Sequence, residues 1–174
     1  MKKILQTAMI GFLVIVVACN GSDSTTTDDD VKTDSPSVMD DNTTPATSNV
    51  ITQTTLAMGP DQEVPPNKSA ASGNADAAYN KETKMLTYTL NWTGLTDKPT
   101  MAHIHGTAAR GVNAGVKHDL TKVLKKETAG SFTDSVKIDA SDIKEDSLLS
   151  GFYYFNIHTP ANPGGEIRGQ IEFK

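Results

Sequence analysis

From Asn49 to the C-terminus the apolar residues fall in short runs separated by Gly, Pro and Asn, and several runs alternate apolar and polar positions with a period of two. Asn49–Met58, Gly73–Tyr79, Met85–Trp92, Thr100–Thr107, Val116–Leu124, Ser131–Ile138, Phe152–Thr159 and Glu166–Phe173 each fit a strand. Their number and spacing predict an all-β domain, a single antiparallel Greek-key or immunoglobulin-like β-sandwich or barrel. One segment differs: Asp142–Leu149 has the texture of a short helix capped by Ser141, with Glu145 near its first turn. Residues 49–174 are enough to enclose one core, and the chain shows no internal repeat.

Alternation also assigns faces. In Met85–Trp92 the set Leu86, Tyr88, Leu90 and Trp92 should point inward, and Met85, Thr87, Thr89 and Asn91 outward. The last two strands flank Pro160-Ala161-Asn162-Pro163-Gly164-Gly165, where the glycines suit positive φ in a turn. A hairpin pairing His158 with Glu166 also pairs Ile157 with Ile167, Asn156 with Arg168, Tyr154 with Gln170 and Tyr153 with Ile171. One face then carries Tyr153, Phe155, Ile157, Ile167, Gly169 and Ile171; the other carries Tyr154, Asn156, His158, Glu166, Arg168 and Gln170. A register slipped by one residue would mix the two sets, so this pairing is the expected one. The polar set is expected to face solvent.

The N-terminus has a different texture. Lys2 and Lys3 precede an apolar or small-residue run from Ala8 to Ala18, too short to span a bilayer and suited to the h-region of a signal peptide. Its Val16-Val17-Ala18-Cys19 ending resembles the lipobox of bacterial lipoproteins, so residues 1–18 are expected to be removed and Cys19 lipidated. Residues 20–48 hold twelve Ser or Thr and seven Asp against the lone Lys32, a composition unable to form a core. Residues 19–48 therefore read as a lipidated cysteine followed by a disordered acidic tether. The expected location is the cell envelope, anchored to a bacterial membrane, with the outer membrane or cell surface favoured.

Composition narrows the chemistry. Loss of Lys2 and Lys3 takes the formal net charge from −5 to −7, which disfavours a nucleic-acid partner. Cys19 is the only cysteine, so the domain has no disulfide, thiolate nucleophile or sulfur-anion ligand, which excludes zinc-ribbon, iron–sulfur and blue-copper sites. The sequence also lacks a Gly-x-Ser-x-Gly elbow, a phosphate-binding loop, a dinucleotide fingerprint and a His-Glu-x-x-His motif, and shows no glycosidase-like carboxylate pair.

What remains is histidine. His103 and His105 lie two apart in Met101-Ala102-His103-Ile104-His105-Gly106, and so project to one face of a strand with Cα atoms about 6.5–7 Å apart. His158, on the polar face of the hairpin, can join them if the two strands are neighbours. Three imidazoles at that spacing can share an ion with bonds of about 2.0–2.1 Å. Met101 has the same parity, and a thioether would favour copper, especially Cu(I). Glu166, opposite His158, could accept a hydrogen bond from the nitrogen that does not touch metal, with Arg168 beside it. His118 is a further candidate ligand. The alternative is structural: surface histidines packed with Tyr154 and Arg168, and an ordinary Glu166–Arg168 ion pair.

Several of these residues also lie in longer motifs. Gln62-Glu63-Val64-Pro65-Pro66, Ala102-His103-Ile104-His105-Gly106, Gly111, Gly115-Val116 with Leu120, and His158 through Gln170 together resemble the CHRD domain, named after chordin and widespread in exported bacterial proteins. The resemblance runs from about residue 53 to the C-terminus. It implies an extracytoplasmic β-sandwich without an established enzymatic activity, and places the strands holding His103 and His158 near one another. Thr107 stands where a proline often follows the His-Ile-His-Gly run. The His-x-His strand also looks like the copper strand of Cu/Zn superoxide dismutase, a likeness of one short motif. Three functions follow as expectations: a non-catalytic copper-binding lipoprotein, a metal-free module contacting an envelope protein or polymer, and, ranked last, a dismutase-like enzyme needing His118 as a fourth imidazole.

Overall fold

The computed structural model describes residues 48–174; the proposed signal peptide, Cys19 and all but the end of the tether lie outside the described residues. Eight strands form: β1 (Val50–Met58), β2 (Ser72–Asn80), β3 (Met85–Thr93), β4 (Met101–Gly106), β5 (Val116–Asp119), β6 (Gly130–Lys137), β7 (Tyr153–His158) and β8 (Ile167–Ile171). A 3-10 turn at Pro60–Gln62 and the five-residue helix α1 (Glu145–Leu149) complete the elements. Two antiparallel four-stranded sheets result, in the orders β1-β2-β3-β6 and β5-β4-β7-β8. The expected all-β sandwich is the observed one.

Its core follows from the period-two pattern. Leu86, Tyr88, Leu90 and Trp92 are buried while Thr87 is exposed, as alternation requires. Tyr88 of the first sheet meets Phe155 of the second with ring centroids 5.1 Å apart, and Trp92 donates its indole N–H to the Glu127 carbonyl at 2.9 Å. The sheets also join at one corner. Gly59, just after β1, exchanges backbone hydrogen bonds with Arg168 in β8 at 2.9 and 3.1 Å. Gly169 is necessary there, because Leu56, Met58 and the Ala57 carbonyl occupy the space a Cβ would take.

The hairpin register agrees with the sequence reading: Tyr153 pairs with Ile171, Tyr154 with Gln170, Asn156 with Arg168 and Ile157 with Ile167. The ladder stops there, and His158 pairs instead with Met101 of β4. Two further expectations are corrected. The segment Val116–Leu124 is a strand only to Asp119, whose carboxylate accepts the Thr121 N–H at 2.8 Å and turns the chain. Ser141 does not cap the helix; it bonds to the Asp139 carboxylate, and α1 begins later, after Lys144.

The largest departure concerns the polar face of β7 and β8. Tyr154, Asn156, His158, Arg168 and Gln170 are all buried rather than solvent-facing. The long connection between β4 and β5 folds over them: Arg168 donates to the Val112 carbonyl at 3.0 Å, and Gln170 donates to the Ala108 carbonyl at 3.0 Å. Asn113 ties this cover to the β1–β2 connection by donating to the Val64 carbonyl at 2.8 Å. Loop carbonyls thus satisfy donors that a bare sheet face would have left to water.

Candidate metal centre

β4 lies between β5 and β7, and the β4–β7 register sets His103 opposite Asn156, His105 opposite Tyr154 and Met101 opposite His158. Paired residues of an antiparallel ladder share a face. His158 therefore comes diagonally beside His103, and the three imidazoles converge beneath the loops, each only 6–8 % exposed. One ligand nitrogen from each lies within 4.8 Å of the others. Tetrahedral or trigonal coordination with bonds of about 2.0–2.1 Å needs nitrogens roughly 3.3–3.6 Å apart, so closing the triad takes about an ångström of ring movement.

The partners of the remaining nitrogens determine which atoms are free. A carbonyl only accepts, so His105 carries its proton on Nδ1, donated to the Ala114 carbonyl at 2.9 Å, and His158 donates from Nδ1 to the Pro163 carbonyl at 3.0 Å. Both Nε2 atoms are left with lone pairs, and His105 Nε2 is buried with no partner. His158 Nε2 lies 3.0 Å from His103 Nδ1. A proton on His103 Nδ1 can bridge that gap; a cation can take its place once the proton moves to Nε2, which lies 3.9 Å from the Asp119 carboxylate. Outward nitrogens on carbonyls and a carboxylate, with inward lone pairs, are the arrangement by which surroundings orient imidazole ligands.

The triad is held neutral. Burial, then the imidazoles of His158 and His105, push His103 down to about 4, and burial likewise lowers His105 and His158. Tyr154 stacks on His105 with centroids 5.0 Å apart and planes 5° from parallel, and the Arg168 guanidinium lies 3.4 Å from the centre of the same tyrosine ring. The Tyr154 hydroxyl accepts the Ala114 N–H at 3.1 Å, so the backbone of one residue holds both stacked rings.

Residues 54–171 match the family model of the CHRD domain. The chain belongs to the CHRD family. No curated protein and no solved structure matches it. Within this CHRD domain three expected contributors to the site are placed elsewhere. His118 pairs with Ile104, so it shares the core-directed side of β4 and not the triad's face; a bulge in the ladder shifts β5 by one residue. Glu166 makes no hydrogen bond to His158. Its carboxylate accepts from Ser69 Oγ, Thr96 N and Oγ1, and Thr159 Oγ1, tying the β7–β8 turn to two loops. Arg168 makes no salt bridge with a carboxylate among the described residues, and its guanidinium lies over the Tyr154 ring. Met101 keeps its parity but stands at the rim, 39 % exposed.

Sequence reading missed Asp119, Ala114, Pro163 and Glu63. Asp119 is opposite His103 in the β4–β5 ladder, a register that strand spacing alone does not reveal. Glu63 lies in the Gln62–Pro66 motif and is 5 % exposed; burial pushes its carboxyl up to about 7 against the opposing influence of Arg168 and Asn156. An acid whose value rises on folding binds its proton more tightly in the fold. The domain should therefore lose stability as pH rises from 4.5 through about 7, by at most roughly 3 kcal/mol. The lowered imidazoles act oppositely, removing stability as pH falls below 6.5. Glu63→Gln should leave only the acid-side decline in urea unfolding measured across this range, and an unchanged slope above pH 4.5 would contradict the assignment.

Gly165 closes the site against Glu63. Its φ of 130° suits glycine, and a Cβ there would lie 2.6 Å from Glu63 Cδ and 2.7 Å from Asn156 Nδ2. Gly165→Ala is expected to destabilise the domain by about 2–4 kcal/mol, read as a lower urea midpoint. A midpoint equal to wild type would show that the turn has room to adjust.

Proposed function

We propose that this CHRD-domain protein is a non-catalytic, lipid-anchored component of the bacterial cell envelope that captures a copper ion on His103, His105 and His158. The observation that carries the reading is the convergence of three ring nitrogens within 4.8 Å, with two of the outward nitrogens already committed to backbone carbonyls. Imidazole suits copper, zinc, iron and nickel, and Cu(II) stands highest in affinity among divalent first-row ions. Neutral imidazoles also suit Cu(I), for which Met101 at the rim offers a thioether. A lipid on Cys19 and the acidic segment after it would hold the domain at the outer membrane or cell surface, exposed to envelope metal.

The dismutase-like alternative loses its fourth imidazole, because His118 lies on the other side of β4. The test is metal analysis of full-length protein purified from its native envelope, with spectroscopy on any copper found and mass spectrometry of the N-terminal peptide. One copper per chain and a diacylated Cys19 are expected. Protein that arrives without copper and takes up none on titration would end the metal reading; an unmodified Cys19 would end the anchoring reading separately.

A further inference from the structure

A second buried group faces the triad. Asn156, in the middle strand β7, is directly opposite His103 in the β4–β7 ladder and opposite Arg168 in the β7–β8 ladder. It is 2 % exposed, and its carbonyl oxygen Oδ1 has no hydrogen-bond partner. The other end of the amide lies beside the buried Glu63 at the Gly165 turn, where a Cβ on Gly165 would come within 2.7 Å of Asn156 Nδ2 and 2.6 Å of Glu63 Cδ. With Nδ2 on that side, Oδ1 is at the opposite end of the planar amide. Asn156 shares its face of the sheet with His103, and by alternation with His105 and His158, so the amide stands on the triad's side. Two buried, unpartnered acceptors thus lie on the same face of the sheet, the amide oxygen of Asn156 and Nε2 of His105. His105 Nε2 cannot supply a proton, because its ring proton is on Nδ1 at the Ala114 carbonyl.

Lone pairs left unpartnered in a dry pocket are costly unless a cation lies between them. We propose that Asn156 Oδ1 is the fourth ligand of the metal centre, giving a divalent ion three imidazole nitrogens and one amide oxygen. The inference rests on the copper reading above and adds to it the ligand that distinguishes the two oxidation states. A carbonyl oxygen is a hard donor that favours Cu(II) over Cu(I), whereas the Met101 thioether favours Cu(I). Glu63 acts as a positioning residue, selecting which end of the amide faces the imidazoles.

The test compares full-length wild type, Asn156→Ala and Asn156→Asp by Cu(II) and Cu(I) competition titrations and by electron paramagnetic resonance of the Cu(II) form. Asn156→Ala is expected to weaken Cu(II) by about 10–100-fold or more, the range found for even indirect partners, while Cu(I) affinity changes little. Asn156→Asp, nearly isosteric, should retain Cu(II) and shift g∥ and the copper hyperfine coupling as a charged oxygen replaces a neutral one. If the alanine variant does not fold, the aspartate variant decides by its spectrum. Wild type that binds copper with affinity and spectrum unmoved by these substitutions would overturn the fourth ligand alone. Wild type that binds no copper would overturn the triad reading and this inference together.

Discussion

Replacing His103 and His105 together by alanine is expected to abolish specific copper binding, with apparent affinity falling by at least about a thousandfold. Losing an indirect partner of a metal ligand already costs about 10–100-fold, and this variant removes two of the three converging imidazoles. His158 would remain alone, tied through Nδ1 to the Pro163 carbonyl. Thermal unfolding provides a second readout. A ligand that binds only the folded state at a free concentration about a hundred times its Kd stabilises that state by about 2.7 kcal/mol. Copper should therefore raise the Tm of wild type and leave the double variant unmoved. A variant that still took up one copper with native affinity would show that the ion sits elsewhere.

Glu166→Gln should lower the stability of the domain by about 3–5 kcal/mol, a large share of the roughly 5–15 kcal/mol typical of a folded protein. The Glu166 carboxylate is fully buried, and each oxygen accepts twice: Oε1 from Ser69 Oγ at 2.5 Å and Thr96 N at 2.8 Å, Oε2 from Thr96 Oγ1 at 2.9 Å and Thr159 Oγ1 at 2.6 Å. Hydrogen bonds to a charged partner contribute about 1.5–3 kcal/mol each, though not additively. An amide would turn one acceptor into a donor facing donors. The hydroxyls can rotate to adapt, but the Thr96 N–H cannot. Differential scanning calorimetry should show Tm lower by about 10–20 °C.

The pH dependence of this effect has a definite sign. Burial alone would raise the Glu166 carboxyl, but the hydrogen bonds from Ser69, Thr159 and Thr96 outweigh it and hold the group below its ordinary value. A carboxyl lowered on folding contributes stability that is present above about 4.5 and lost as pH falls through the folded value. Wild type and Glu166→Gln should therefore converge in acid and differ most near neutrality; equal stability at pH 7 would remove Glu166 from its structural role. The substitution should also weaken metal binding, because the turn held by Glu166 carries the Pro163 carbonyl that orients His158.

Much of the fold was legible because alternation is a local signal. Leu86, Tyr88, Leu90 and Trp92 identify the inner face of β3, and one register of β7 and β8 keeps Ile157 and Ile167 apart from Asn156 and Arg168. The site was legible in part. The spacing of His103 and His105 implied a shared face, but His158 needed a neighbouring strand that local pattern cannot supply. His118 could not be placed from the sequence because Val116–Leu124 alternates poorly, and only the pairing of Ile104 with His118 shows that it lies off the triad's face. Glu166 was misassigned because its partners Ser69 and Thr96 come from loops far away in sequence.

By itself, the sequence determined the all-β architecture, the inner faces of its strands, the lack of any cysteine in residues 49–174 and the presence of three histidines able to meet, since composition and period-two patterning are properties of short stretches. The tertiary structure decided that the polar face of the second sheet is buried, that backbone carbonyls of Ala114 and Pro163 choose the histidine tautomers, and that Asn156 and Glu63 are buried beside one another at the Gly165 turn. Those outcomes depend on how loops distant along the chain fold over the sheet, and a loop's destination is set by the groups it covers rather than by its own residue pattern.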